Sequence, residues 1–374
     1  MPPAPTGVAD YAAALFEGLV GQTSTSAPDL QVRLSPTHCH LALYHIGNNH
    51  LHADIYRRAL QNPGVVILHD AVLHHFLLGH LDEPAYIEEF TYNYGSWSRS
   101  LAAELWRGRR SSGADSRYFD YPMLRRIAER SHAVVVHNPA AAALVRQHAP
   151  RARIVEIPHL FIPAEPPAAA GVIHYRERLG LEPGAFVFGV FGYLRESKRL
   201  LSVLDAFTAL CGAGDQRQAC AGPPGPALLI AGEFTSPDLE RSITPLLKHP
   251  RIIRLPHLSE TEFHLATAAV DACINLRYPS AGETSGIVVR LMGLGKPVFV
   301  TGSPECAHFP ENACIRIPPG PAERESLRLH MILVSSMSDV VRAIGHRGAF
   351  HIQTHHRVEA VSKQFWDLLC DFCT

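Results

Sequence analysis

The segment 191–207 (FGYLRESKRLLSVLDAF) holds two cations, Arg195 and Lys198, between an apolar run and an amphipathic one. A strand that ends at Gly192, followed by a helix that begins near Arg199, would bring both cations to a helix N-terminus. Proteins commonly bind phosphate in this way. The segment is therefore a candidate phosphate site, although a solvated basic turn that caps a helix would explain the same residue types.

A second segment, 280–298 (SAGETSGIVVRLMGLGKPV), combines small residues with one carboxylate. The small residues predict a tight turn before a helix, with backbone N–H groups that can hold an anion: Gly282, Thr284, Ser285 and Gly286. The charge of Glu283 in this turn would repel a phosphate, so Glu283 fits a neutral hydroxylated group such as a sugar ring or a ribose. A carboxylate that only complements the helix N-terminus is the alternative.

Arg290 lies within the otherwise apolar run IVVRLM of the same segment. It follows Gly286 by four residues, so a helix would place both residues on one face and let Arg290 reach the site. An arginine whose stem crosses a mostly buried helix and whose guanidinium reaches water explains the position equally well. Both interpretations stay open.

The segment 64–81 (GVVILHDAVLHHFLLGHL) places His69 and Asp70 at the carboxyl end of an apolar strand. Open α/β sheets bind ligands at that end of their strands, so both residues are candidates for a ligand-lined cleft. His74 and His75 follow on the predicted helix, and histidines and aspartates at such spacing can bind a metal. Nothing else in the sequence stands at a spacing that would complete a metal site, so we favour structural histidines and expect no metal.

Other strand ends supply further candidates. His45 and Asn48, in YHIGNNHLH (44–52), follow a predicted strand and are expected to line the same cleft. His257 ends the predicted strand RIIRLPH (251–257) and is a candidate for donor binding.

Gly7 and Asp10 stand at the start of the chain, in a Gly turn and the first turn of the helix that follows it, and are candidates for donor binding and for lining the cleft on the acceptor side, respectively. Such a turn normally follows the first strand of a doubly wound domain. Because only six residues precede Gly7, we expect either a start further upstream or an N-terminal domain that has lost or rearranged its first strand.

The bulk composition describes a globular protein of two ordinary domains, with 374 residues, 47% hydrophobic residues and a net charge of −1. That charge does not favour nucleic acid as a partner. No apolar stretch reaches the roughly 18 residues that span a bilayer, and the N-terminus lacks the pattern of a signal peptide. Eight scattered cysteines are expected to be reduced thiols. We therefore expect a cytoplasmic protein.

Apolar runs alternate with amphipathic ones along the chain, which predicts an α/β fold with parallel sheets. The predicted strands are 39–46, 64–70, 132–138, 153–159, 186–193, 227–233, 251–257, 271–277, 296–301 and 313–318. The Pro- and Ala-rich segment 161–180 is predicted to be a linker. The expected domains are residues 1–165, residues 166–345, and a C-terminal helical segment 346–374 that crosses back to the first domain.

Together these segments resemble the GT-B glycosyltransferases of family 4, and the resemblance covers most of the chain. The segments that show the resemblance are PPAPTGVADYAAAL, GVVILHD, HAVVVHNPAAAALV, the G-x-L-x-x-x-K turn, and the acidic Gly turn before GKPV. It implies two Rossmann-like domains that face a cleft, and it is most specific over 186–300.

The resemblance also implies roles for individual residues. Lys198 matches the lysine that neutralises the donor diphosphate, and Arg195 takes the role of an arginine that is replaced by Tyr193 here. His69 matches a histidine that contacts the donor sugar, and Glu283 matches the first glutamate of an E-x7-E motif. Residues 284–286 match backbone amides that meet the diphosphate.

One departure from the pattern concerns the second glutamate of that motif, which holds the donor ribose. Leu291 lies eight residues beyond Glu283, while counting back from Gly295 puts Arg290 in its place. This puts conventional ribose recognition and the identity of the donor nucleotide in doubt.

The implied function is a retaining, metal-independent transfer of a hexose from a nucleotide-sugar donor to an unidentified acceptor, with no cofactor. A GT-B epimerase or phosphorylase, or a catalytically silent protein that binds sugar nucleotides, is the alternative. In the segment 88–131 acidic residues alternate with arginines, so we expect weak or no membrane association.

Overall fold

A computed structural model describes residues 7–26, 31–34, 39–113, 115–215 and 224–372. The chain divides into two compact units. The first comprises Met1–Ile162, Pro279–Gly286 and His355–Thr374, and the second comprises Pro163–Tyr278 and Ile287–Thr354. The segment with Glu283 and the last helix of the chain therefore belong to the first unit.

The first unit is built on a sheet of four parallel strands in the order β1-β2-β3-β4. The strands are β1 (Leu43–Ile46), β2 (Val65–Leu68), β3 (Ala133–Val136) and β4 (Ile154–Glu156). Every residue of the two middle strands is buried, as expected for apolar, β-branched runs that have helices on both faces of a parallel sheet.

The helices of the first unit pack on both faces of this sheet. They are α1 (Gly7–Ser26), α2 (Ala53–Gln61), α3 (His74–His80), α4 (Glu83–Tyr94), α5 (Arg99–Gly108), α6 (Arg117–Asp120), α7 (Arg125–Arg130) and α8 (Pro139–His148). Val66 and Leu68 share a core with α2–α8, whereas Val65 and Ile67 face α1. This alternation follows from the two-residue period of a strand.

The second unit has six strands in the order β10-β9-β8-β5-β6-β7, and every neighbouring pair is parallel. They are β5 (Val187–Phe191), β6 (Ala227–Ala231), β7 (Ile252–Leu255), β8 (Ala272–Asn275), β9 (Val298–Thr301) and β10 (Ile315–Ile317). Along the chain, β6 and β7 are added on one side of β5, and β8, β9 and β10 are then added on its other side. The carboxyl ends of β5 and β8 therefore flank the topological switch point, where doubly wound sheets bind ligands.

The helices of the second unit precede, connect or follow these strands. They are α9 (Ala169–Arg178), α10 (Leu200–Asp215), α11 (Pro237–Ile243), α12 (Glu260–Ala269), α13 (Gly286–Gly293), α14 (Glu323–Ser336) and α15 (Ser338–His355). The last helix, α16 (Val358–Cys370), belongs to the first unit and packs against α1. Across the described ranges, none of the helices combines the length and apolar character needed to cross a bilayer.

Each predicted strand is present, with its core inside the predicted range, so the prediction of an α/β fold with parallel sheets is confirmed. The prediction of a linker over 161–180 was wrong in part, because α9 occupies Ala169–Arg178. The prolines of this segment end at Pro167, the residues after it favour helix, and α9 buries Tyr175 and packs on α12. At the start of the described chain, α1 precedes β1.

Candidate functional site

Lys198 is the centre of a group of cations in the second unit. It closes a short 3-10 helix (Glu196–Lys198) that follows β5, and only 5% of its surface is exposed. Its Nζ donates a hydrogen bond to the carbonyl oxygen of Phe191. Burial, reinforced by the charges of Arg277 and Arg195, holds the pKa of the Lys198 ammonium well below its usual range.

Gly192 makes room for this lysine. Its φ of +85° lies in the left-handed region, where residues other than glycine are strained. A Cβ at this position would stand 3.2 Å from Lys198 Nζ and 3.3 Å from Ile287 Cγ1. Glycine therefore lets the turn after β5 bring the amine close to the strand end.

Arg277 is a member of this cation group that the sequence analysis missed. It follows β8, and its backbone N–H donates to Thr301 Oγ1 at 2.8 Å. Arg277 is distant from Lys198 in sequence, and only the pairing of β8 with β5 brings the two strand ends together. Arg277 is the last residue of the predicted strand 271–277, so a signal was available, but the hydrophobic pattern does not contain the strand order that brings it near Lys198.

We call Arg195, Lys198 and Arg277 the cation cluster. Lys198 is buried, Arg277 is half-buried and Arg195 is exposed. Their like charges repel one another, and a bound anion relieves that repulsion. The cluster also lies at the switch point between β5 and β8, where a doubly wound sheet accepts its ligand. Three positive charges at this place suit a multiply charged anion such as a diphosphate.

The turn that carries Glu283 is tied to the strand ends of the first unit. Asn138, which caps α8 after β3, donates from Nδ2 to the carbonyl oxygen of Gly282 at 3.1 Å and to Thr284 Oγ1 at 3.0 Å. Gly282 has φ +75°, and a Cβ there would stand 2.7 Å from the Cβ of Ala71. A side chain at position 282 would therefore lift this turn off β2 and β3.

The carboxylate of Glu283 accepts hydrogen bonds from its own turn. Its Oε2 accepts from the backbone N–H of Ala281 at 2.8 Å and from Ser280 Oγ at 3.3 Å. Thr284 and Ser285 are buried, and α13 begins at Gly286, as the sequence predicted for this turn. The carboxylate thus has a defined orientation before any ligand arrives.

Five rings meet at the carboxyl ends of the four strands of the first unit. Tyr11, from α1, lies within 5.8 Å, between ring centroids, of four imidazoles. His45 lies on β1, His69 follows β2, His137 follows β3 and His159 follows β4. We call these five residues the ring cluster.

Hydrogen bonds orient several of these rings. His45 Nδ1 and His69 Nε2 are 3.1 Å apart, and the two rings stack with an interplanar angle of 14°. His137 Nδ1 donates to the carbonyl oxygen of Ile157 at 2.9 Å, which leaves its Nε2 as a buried acceptor with no hydrogen-bond partner. The imidazoles of His45, His69 and His137 therefore have a defined orientation.

Each imidazole in the ring cluster has a lowered pKa, and burial is the main cause. It takes the pKa values of His45 and His159 to about 3 and that of His137 to about 4. The pKa of His69 is lowered well below its usual range, since the neighbouring imidazoles add to the effect of burial.

His45 and His69 were predicted from the sequence, whereas three members of the ring cluster were not: Tyr11, His137 and His159. A signal for the two histidines was available, because each predicted strand of the first half ends in or is closely followed by a histidine. Tyr11 carried no such signal, since it belongs to a helix that only the tertiary fold lays across the strand ends.

Asn48 and Asp70 hold the loop after β1. The backbone N–H of Asn48 donates to Asp70 Oδ2 at 2.7 Å, and Asn48 Oδ1 accepts from the backbone N–H of Phe76 at 2.7 Å. His74 is bonded through both nitrogens, to Tyr121 O and Tyr86 Oη. These contacts give His74 a structural role. Over the ranges that can be described, no group of three or more ligating side chains is placed to hold a metal.

Arg290 lies against α12 in the second unit. Its guanidinium pairs with Glu260, stands 3.3 Å from His264 Nε2 and covers the ring of Phe263 at 3.9 Å. His264 in turn lies 3.0 Å from Glu260 Oε1. The side chain of Arg290 is therefore bound to a carboxylate of the neighbouring helix α12. Its role in donor binding stays a prediction.

The remaining predicted site residues lie at the edges of the two units. Gly7 and Asp10 are exposed in the first turn of α1, whereas Tyr11 beside them is buried in the ring cluster. His257 follows β7, and its ring stacks on that of Tyr193 with centroids 6.3 Å apart. Their proposed contacts with ligand stay predictions.

No protein-family model and no curated protein matches this chain by sequence. Solved structures do match its fold. WaaG, a glycosyltransferase involved in lipopolysaccharide biosynthesis, is 15% identical with a TM-score of 0.63 and covers 97% of this chain and 96% of its own. HepE from Anabaena, in complex with UDP-glucose, is 17% identical with a TM-score of 0.62 over 88% of this chain and 78% of its own.

Sucrose-phosphate synthase from Thermosynechococcus elongatus is 16% identical, with a TM-score of 0.60 over 88% of this chain and 73% of its own. At such identities the likeness shows the fold alone. That fold is the GT-B arrangement of two Rossmann-like halves, so the fold prediction is confirmed. Membership of family 4 stays a prediction.

Proposed function

We propose that the protein is a retaining glycosyltransferase that moves a hexose from a nucleoside diphosphate sugar to a hydroxylated acceptor. The observation that carries this proposal is the cation cluster at the switch point of the second unit. The cluster contains three cations, of which Lys198 is buried, and such a group suits a diphosphate. The fold is also one that HepE, solved with UDP-glucose, and WaaG share.

The cation cluster would act on the leaving group. As the bond between the sugar and the diphosphate breaks, negative charge grows on the phosphate oxygens, and preorganised cations lower the barrier by stabilising that charge. Lys198 contributes most when it is charged, and the approach of the diphosphate raises its pKa. These cations supply the positive charge the step needs, which is the basis for proposing metal independence.

Glu283 and His69 are the groups of the first unit that we assign to the sugar. A carboxylate held by Ala281 N–H and Ser280 Oγ still has acceptor capacity for sugar hydroxyls. His69 lies at the end of β2 as a neutral imidazole and therefore offers a hydrogen bond without a charge. In a retaining transfer of this kind the donor phosphate takes the proton of the acceptor hydroxyl, so no strong side-chain base is required.

A thermal-shift screen of nucleotide-sugars, followed by transfer assays with the stabilising donor, tests the proposal. The right donor should raise the unfolding temperature, because it binds only the folded state. Lys198→Ala should remove the shift and lower transfer by at least about 100-fold, the order expected for a lost transition-state contact. Lys248→Ala, an exposed lysine of the same unit, is the matched control and should behave as wild type.

Two outcomes would contradict the proposal. The first is a protein that binds no nucleoside diphosphate or nucleotide-sugar. The second is a Lys198→Ala variant with wild-type transfer. Analysis of the products formed without an acceptor separates transfer from epimerisation or phosphorolysis, which change the donor alone.

A further inference from the structure

Arg199, the residue directly after Lys198, has a strained backbone. Its φ of 56° and ψ of 32° are left-handed. In the part of the chain that the structure describes, Met123 and Arg199 are the residues other than glycine with a positive φ. A non-glycine residue in this region costs free energy and persists where surrounding contacts enforce it.

The side chain of Arg199 forms an ion pair with Glu323. Arg199 Nε donates to Glu323 Oε1 at 2.8 Å, and the side chain of Glu323 is only 2% exposed. Glu323 is the first residue of α14, so its position is set by a helix that packs along α10. The Arg199 side chain is 34% exposed, so losing this arginine would leave the buried carboxylate of Glu323 without its cation, which is costly.

A second contact holds the same turn from the other side. The backbone N–H of Tyr278, next to Arg277, donates to the carbonyl oxygen of Ser197 at 2.8 Å. The guanidinium of Arg199 also lies 5.9 Å above the ring of Tyr278. The short helix that ends in Lys198 is therefore tied both to α14 and to the chain after β8.

Lys198 needs such restraint. Burial and the charges of Arg195 and Arg277 both disfavour its ammonium form in this position. Without a restraint, the charged side chain would gain free energy by turning out to water and away from the two arginines. A tether on the neighbouring residue opposes that movement.

We propose that Arg199 and Glu323 form a positioning pair that holds Lys198 in place for a diphosphate ligand. This inference rests on the proposed function. Neither residue is assigned a contact with the ligand, and the free energy of the buried ion pair offsets the strain at Arg199.

Glu323→Gln tests the pair, and Glu325→Gln is its matched control. Glu325 lies two residues further along α14, is 59% exposed and pairs with Arg328 at 2.6 Å. The control therefore removes a carboxylate that also binds an arginine but does not contact the turn of Lys198. The probe is inorganic pyrophosphate, whose binding does not depend on the base of the natural donor. Calorimetry should show binding about 10-fold weaker for Glu323→Gln, with Glu325→Gln like wild type.

Arg199→Gly separates positioning from backbone conformation. Glycine adopts φ near +56° without strain, so a residue needed only for its conformation would be replaced by glycine with unchanged or tighter binding. The positioning pair instead requires weaker pyrophosphate binding, with partial recovery in Arg199→Lys, which can still reach the carboxylate.

Unchanged binding by both Glu323→Gln and Arg199→Gly, in a protein whose wild type binds pyrophosphate, would overturn the inference and leave the proposed function intact. Equal weakening by Glu323→Gln and Glu325→Gln would also overturn it, since the effect would then belong to α14 in general. A wild type that binds neither pyrophosphate nor any nucleoside diphosphate overturns the proposed function and the inference with it.

Discussion

His45 and His69 meet through their ring nitrogens, with 3.1 Å between His45 Nδ1 and His69 Nε2. One ring must donate the proton and the other must accept it, so the pair is bonded only while at most one of the two is charged. The hydrogen bond thus links the end of β2 to β1 and depends on the protonation of both histidines.

The ring cluster predicts that the first unit loses stability in mild acid. Its imidazoles have lowered pKa values in the folded state, with burial as the main cause, whereas an unfolded histidine titrates near 6.5. Between pH 6.5 and about 4 the unfolded chain binds protons that the folded unit refuses, so stability falls as the pH falls. Each histidine contributes about 1.4 kcal/mol per pH unit at most.

Tryptophan fluorescence can follow this transition in one unit, because Trp97, Trp106 and Trp366 are the only tryptophans and all lie in the first unit. Urea unfolding at pH 7.5, 6.5, 5.5 and 4.5 should show a steadily lower midpoint. His137→Gln should flatten the dependence by about the share of one histidine. A midpoint that is constant down to pH 4.5 would show that the imidazoles are not held neutral.

Gly282→Ala is expected to destabilise the protein more than Gly295→Ala does. The two glycines have φ +75° and +78°, so alanine suffers the same backbone strain, about 1 kcal/mol, at either position. Only at position 282 does the new Cβ meet another atom, 2.7 Å from the Cβ of Ala71, while at Gly295 nothing lies within 4 Å. The difference between the two free energies of unfolding, measured in urea by circular dichroism, isolates the packing of the Glu283 turn. Equal losses would mean that this turn is not packed against β2.

Binding of a diphosphate is expected to take up protons. In the free protein the pKa of Lys198 is depressed, and a bound dianion raises it, so at a pH above the depressed value the complex holds more protons than its components. Affinity should therefore fall as the pH rises. Calorimetric titration with UDP in two buffers of different ionisation enthalpy measures the uptake directly. Lys198→Met should abolish the buffer dependence, and an uptake that persists in this variant would assign the proton to another group.

The pair between Arg290 and Glu260 is expected to contribute little to stability. The side chains are 30% and 70% exposed, and pairs of this kind typically contribute up to about 1 kcal/mol. Arg290→Ala should cost somewhat more than Glu260→Gln, because it also removes the contact with the ring of Phe263. If Arg290 contacts the donor, Arg290→Ala alone will weaken nucleoside diphosphate binding. Equal binding by both variants would limit the arginine to its structural contact.

Much of the fold could be read from local patterns. Each of the ten strands is a short apolar run, and the turns before α10 and α13 carry the glycines and small residues that such turns require. Gly192 and Gly282 were identified as turn residues, and both adopt a positive φ. The helix over Ala169–Arg178 was missed because the prolines nearby outweighed a sequence that favours helix after them.

Local patterns identified only some residues of the candidate site. Lys198, Arg195, Glu283 and His69 stand next to strand ends or turns that identify them. Arg277 also stands at a strand end, but it comes near Lys198 only because β8 pairs with β5. Tyr11 lies within a helix and has no such signal.

The sequence alone determined which residues form strands, where the chain must turn, and which charged or ring-bearing groups stand at those turns, because propensity, periodicity and backbone freedom act over a few residues. Tertiary structure decided which of these groups meet. The pairing of β5 with β8 sets Arg277 near Lys198, and the burial that follows lowers the lysine's pKa. Asn138 Nδ2 donates to the carbonyl oxygen of Gly282 and so secures the Glu283 turn. Strand order and burial depend on the packing of the whole chain, so no local pattern contains them.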